Sequence, residues 1–206
     1  MMPCVPDCPE TPFQLYCLTF QLTINGCVVE VDYRHRKACN QFYDLFIDQI
    51  RTVNGRNEAN DPACDALFSK NTSAAILAEV TRQLMLRNPM GFPPNEPGEC
   101  EVNWRVVKGG CWSRPYINFS SLDRQPSWFV NRLVPCPTEE VCCLDYFKVC
   151  IDEYGQRVIT SQPPPKSNKI PSCWQVLEEK DEYGTTYRSC DPVCGVAPPL
   201  WPFGNE

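Results

Sequence analysis

The sequence has little of what proteins use for chemistry at a site. There is one histidine, His35, so any Cys-His or Ser-His nucleophile pair would have to be built on it. It stands among Arg34, Arg36 and Lys37 with no nucleophile motif nearby, and reads as a surface residue at the exposed end of a strand. No C-x2-C pair occurs, which removes the knuckle spacing of zinc modules. C-x-x-C-H is absent as well, which removes ordinary c-type haem attachment. A phosphate-cradling glycine loop and an alternating acidic calcium loop are also missing. Basic charge is scarce: 19 Lys and Arg against 25 Asp and Glu give a net charge of −6, so no polyanion-neutralising surface is expected and nucleic acid is excluded as a partner. No apolar run approaches the length of a membrane-spanning helix. The first residues, Met1 to Cys8, have neither a basic nor an apolar leader segment, and the expectation is that a leader has been removed or omitted.

What the chain does have is cysteine and proline, 15 and 21 residues respectively, with 43% apolar residues to build a core. That pairing is typical of chains in oxidising compartments, where disulfides and stiff turns restrict the unfolded ensemble. Every cysteine is therefore a disulfide candidate: Cys4, Cys8, Cys17, Cys27, Cys39, Cys64, Cys100, Cys111, Cys136, Cys142, Cys143, Cys150, Cys173, Cys190 and Cys194. The densest run, 136–150, holds four of them beside apolar and aromatic residues and reads as a crosslinking hub bridged to both sides. A four-cysteine zinc site from Cys4, Cys8, Cys190 and Cys194 is permitted by spacing but unspecific, so neither a metal nor a cofactor is expected. Because 15 is odd, one thiol of a fully oxidised monomer must remain unpaired, which points to a bridge between chains or to a free thiol.

Read in order, residues 1–13 place Pro3, Pro6, Pro9 and Pro12 at every third position, which suits an extended arm without a core. Apolar and polar residues then alternate from Tyr16 to Ile24 and from Val29 to Tyr33 around Asn25-Gly26, predicting a hairpin with a type I′ turn. Phe42, Phe46, Ile50 and Val53 recur at helical spacing and predict an amphipathic helix ended by Gly55. Asp61-Pro62 starts a short helix through about Phe68, and Ser73 to Arg87 form another, stopped by Asn88-Pro89. The proline-rich stretch 88–99 is the best domain boundary.

Beyond it the pattern is β. Trp104 and Val106, then Lys108-Gly109-Gly110 and aromatic residues to Phe119, predict a second hairpin. The turn Asp-Glu-Tyr-Gly occurs at Asp152 and again at Asp181, predicting two related hairpins joined by the stiff Pro163, Pro164 and Pro165. The tail carries Trp201 and Phe203 among prolines. The carboxylate pairs Glu139-Glu140 and Glu178-Glu179 are sequence neighbours that point apart on a strand or turn, so they read as solvated surface. Asn71-Thr72-Ser73 and Asn118-Phe119-Ser120 match the glycosylation pattern without further support.

The expected fold class is α+β: an N-terminal hairpin packed with two or three helices (1–98), then a cysteine-rich antiparallel β region with an extended tail (99–206), joined as one body. Function follows by elimination. The chain is expected to be a non-enzymatic extracellular or cell-surface structural protein, a homo-oligomer or polymer that also meets other surface proteins, such as a filament or coat subunit. Its subunit contacts are expected at the termini, through Pro3, Val5, Phe13, Leu200, Trp201 and Phe203. The competing reading is a secreted binding module, an inhibitor or receptor-binding protein, whose sign would be an exposed aromatic patch.

Overall fold

Asn25 and Gly26 take φ of 49° and 83°, the left-handed pair that a two-residue type I′ turn demands, and so join β1 (Leu18–Ile24) to β2 (Cys27–Ala38) as expected. They do so in a computed structural model that describes residues 8, 10–53, 61–114, 116–118, 129–136, 142–163, 172–173, 179–180, 185–187 and 190–194.

The next element overturns the α+β expectation. Residues 42–52 form β3 (Phe42–Thr52), which runs antiparallel to β2 along its whole length and is not a helix. Phe42, Phe46 and Ile50 stand four residues apart, and four is an even number, so this spacing fits one face of a strand as well as one face of a helix. The residues between them decide the matter: Leu45 and Ile47 are as fully buried as Phe46, because a central strand is covered on both faces. A register shift opposite Asp32 and Tyr33 leaves Asp48 unpaired and reverses the parity. Ile50 therefore joins Leu45 and Ile47 in the main core, while Phe46 faces the other side.

The other two helices lie where expected. Asp61 accepts from the backbone N–H groups of Ala63 and Cys64 and caps α1 (Pro62–Lys70), with proline in the first turn. Thr72 caps α2 (Ser73–Arg87), and Asn88 ends it in a left-handed conformation, its N–H donating to the Leu84 carbonyl. Val53 lies after β3, and Gly55 lies outside the described residues.

Nine further strands follow: β4 (Cys100–Gly109), β5 (Cys111–Ser113), β6 (Tyr116–Asn118), β7 (Phe129–Pro135), β8 (Cys142–Ile151), β9 (Arg157–Gln162), β10 (Glu179–Lys180), β11 (Thr185–Tyr187) and β12 (Asp191–Pro192). All belong to one mixed sheet of 12 strands. One side of β3 pairs with β2. Its other side is shared between β4, parallel to it, and β7, antiparallel to it, so the sheet forks there. The protein is thus mostly β, with two helices laid on a sheet that runs through both halves of the sequence.

One more expectation is corrected. β4 and β5 do not form a hairpin: β4 pairs with β3 and β8, and β5 pairs with β7 and β12. The stretch 88–99 is tied to the fold on several sides. Trp104 Nε1 donates to the Pro93 carbonyl at 2.6 Å, Arg157 Nη2 donates to that of Pro94 at 2.7 Å, and Met90 and Phe92 are buried. The repeated turn fares better. Asp152 Oδ1 accepts from the N–H groups of Tyr154 and Gln156 in the β8–β9 hairpin, and β10 pairs with β11 across residues 181–184, which lie outside the described residues.

The main core lies where α1 and α2 cover one face of the sheet, around Leu22, Val31, Ile47, Trp104, Trp112 and Val149. On the opposite face Phe13, Phe46 and Val107 make a smaller cluster with Leu144 packed beside it.

Candidate functional site

Among the described residues six disulfides pin this sheet: Cys8–Cys39, Cys27–Cys64, Cys100–Cys150, Cys111–Cys173, Cys136–Cys190 and Cys143–Cys194. They fit a cysteine-rich chain of an oxidising, extracytoplasmic compartment. The run 136–150 does bridge in two directions. Cys150 reaches across to Cys100 on β4, while Cys136 and Cys143 hold Cys190 and Cys194. Cys4 and the Cys142 side chain lie outside the described residues. The candidate zinc set dissolves in this pairing, since Cys8, Cys190 and Cys194 each have a different disulfide partner. Cys8 and Cys39 also lie within ligand distance of Glu10, but a disulfide has no thiolate to offer a metal.

On the face away from the helices, Arg36 Nε donates to Asp44 Oδ2 at 2.9 Å, and Arg105 holds both oxygens of the same carboxylate, at 2.6 and 2.9 Å. Asp44 and Arg105 are fully buried. The Arg36 guanidinium also donates to the carbonyls of Cys8 and Thr11 and lies 4.4 Å from the Phe13 ring centre, so it anchors the arm to the sheet. Phe42 covers Arg105 in the same manner, at 3.9 Å. The sequence gives no warning of this cluster, because its members come from three strands and no local motif joins them. Phe13, expected at a contact between subunits, is buried against Phe46 and Val107 of its own chain. Pro3, Val5, Leu200, Trp201 and Phe203 lie outside the described residues.

His35 is not an exposed strand end. It is half-buried against Phe92, edge to face at 5.3 Å, and beside Tyr33, and burial lowers its pKa from the ordinary histidine value. The Gln14 side-chain nitrogen lies 3.2 Å from Nε2. Neither a nucleophile nor a carboxylate approaches His35 among these contacts.

The outer face of the first three strands is a polar lattice. Asp32 accepts from Thr19, Gln49 and Arg51, and Glu30 accepts from Gln21 and Arg51. Burial works to raise the Asp32 pKa, but the hydrogen bonds from Thr19, Arg51 and Gln49 outweigh it and hold the carboxyl below its usual value. At the margin of this lattice is Cys17, the one free cysteine among the described residues. It is exposed, and Arg34 Nη2 donates to its Sγ at 3.4 Å. Its flanks are open too: Leu15 and Tyr16 are each 79% exposed and Leu18 41%. β1, which begins at Leu18, pairs with β2 on one side, and among the described residues no strand pairs with the other. Compared with protein-family models, curated proteins and solved structures, the chain matches none.

Proposed function

We propose that this chain is a non-enzymatic extracellular structural protein, a disulfide-stabilised subunit that self-associates into a surface filament or coat. The observation that carries this reading is the open edge of β1 with its exposed Leu15, Tyr16 and Leu18, set on a sheet otherwise stitched by six disulfides. A rigid body with an open strand edge suits lateral or serial packing of copies, since an edge carries backbone donors and acceptors that no neighbouring strand pairs. The carboxylates described above, Asp44, Asp32 and Glu30, work in structural ion pairs with arginines, which supports a role without catalysis. The same exposed apolar residues would serve a secreted binding module, whose occupant would be another protein.

Sizing and imaging of native material separate the two readings. Assembly predicts oligomers or polymers of this chain alone. A protein that stays monomeric at all concentrations tested abandons the assembly reading in favour of the binding module.

A further inference from the structure

We infer that the edge of β1, together with Leu15, Tyr16 and Cys17 just before it, is the docking surface for a second copy of this chain, placed about a two-fold axis beside Cys17. A Cys17–Cys17 disulfide closes the contact. The inference deepens the self-association reading and rests on it.

Three observations point to a second copy. First, there is no charged residue between Glu10 and Glu30, so neither the edge nor its approach carries the Lys, Glu or inward charge that ordinarily keeps a strand edge from pairing. The charged groups at the thiol, Arg34 and Asp48, are paired with each other, so like edges meet without net repulsion. Second, an antiparallel pair of like edges is self-complementary about a two-fold axis. With the axis beside Cys17, the exposed Leu15, Tyr16 and Leu18 of the two copies are brought together, and apolar surface that is open in one chain is covered in two. Third, residues facing each other across an antiparallel pair have Cα atoms about 4.5–5.5 Å apart, within the separation a disulfide needs. This fold already bridges facing residues internally: Cys100 and Cys150 are direct cross-strand partners on β4 and β8 and are joined by a disulfide. Cys17 is the described thiol without such a partner, and only an identical edge puts an identical thiol opposite it.

The chemistry balances with a small-molecule disulfide as oxidant. A Cys17 thiolate attacks oxidised glutathione to give a mixed disulfide and one glutathione thiolate. The Cys17 thiolate of the second copy then displaces the other glutathione, forming the new S–S bond. Two electrons pass to glutathione, and the two protons lost by the cysteines end on its two thiols.

The experiment equilibrates the full chain, with its disulfides intact, in a mixture of oxidised and reduced glutathione poised at the potential of an oxidising compartment. Readouts are non-reducing gels, sedimentation and peptide mass mapping, on wild type, Cys17→Ser and Leu18→Lys. Wild type is expected to form a dimer unit whose linked peptide joins Cys17 to Cys17. Cys17→Ser should lose the covalent link while keeping a concentration-dependent dimer. Leu18→Lys, at an exposed position and with the thiol retained, should slow covalent dimerisation at least tenfold. If wild type forms large species in which Cys17 remains alkylatable and Leu18→Lys assembles normally, the edge assignment is overturned while the assembly reading stands. If Cys17 ends only as a glutathione adduct on a monomer, both are overturned.

Discussion

Asp44 is the residue on which most of the buried charge of this protein depends. Its carboxylate accepts from two guanidiniums, Arg36 and Arg105, whose side chains are 3% and 0% exposed, so its removal leaves two buried cations facing each other. Asp44→Asn keeps the shape of the side chain and removes the charge. It is expected to cost roughly 3–5 kcal/mol, the range for breaking a buried ion pair from one side, read as a lower urea midpoint at neutral pH. His35 makes a second prediction at this scale. Its folded pKa lies below that of the unfolded chain because burial disfavours the imidazolium, and Gln14, Tyr33 and Phe92 around it bring no negative charge. The stability it contributes is therefore fully present above the ordinary histidine pKa of about 6.5 and is lost as pH falls through the lower folded value. The melting temperature of wild type should fall between pH 7 and pH 5 more steeply than that of His35→Gln, in which the titrating group is gone. Equal slopes would place the acid sensitivity elsewhere.

The elements show which parts of a fold a sequence declares. A signal carried by neighbours in the chain is legible: the Asn25-Gly26 turn, the Asp61 cap and the stop at Asn88 were all readable, because each acts over a few residues. β3 was misread because its identity depends on what covers it. Burial on both faces and the bulge at Asp48 are set by strands far away in sequence, and a four-residue spacing is ambiguous without them. The Asp44 cluster and the β1 edge were invisible for the same reason, although the unpaired thiol at that edge was foreshadowed by the odd cysteine count. The β1–β2 turn gives a clean test at this scale. Gly26 sits at φ 83° with room for a methyl group, the nearest atom being Ala63 Cβ at 3.5 Å, so Gly26→Ala meets backbone strain and no clash. It is expected to lose about 1–2 kcal/mol, measured by chemical denaturation, with the disulfides and the far-ultraviolet circular dichroism unchanged.

At the scale of the whole molecule the disulfides divide by burial, and this sets the order in which they open. In Cys27–Cys64, Cys136–Cys190 and Cys143–Cys194 every cysteine is no more than 5% exposed. Cys100 and Cys39, by contrast, are exposed halves of their bridges, and Cys173 is half-buried in its own. Thiol–disulfide exchange needs in-line access of a thiolate to sulfur, so bridges with an exposed cysteine open from the native state, whereas the buried three open only when the surrounding structure does. The consequence is specific because the buried three lie in different places: one ties the β1–β2 turn to α1, and two hold Cys190 and Cys194 to residues 136 and 143. The C-terminal end of the described chain is thus fastened by sulfur that solvent does not reach, whereas the Cys8 end hangs on a bridge with an exposed cysteine. Stepwise reduction at neutral pH with no denaturant, quenched by alkylation and mapped by mass, should modify Cys17 before any reductant is added. Cys100, Cys150, Cys8 and Cys39 should follow under mild reductant. Cys27, Cys64, Cys136, Cys190, Cys143 and Cys194 should be labelled last and together, at a rate that rises with urea as global unfolding does. Early labelling of Cys143 and Cys194 in native buffer would show instead that the 190–194 segment opens independently of the sheet.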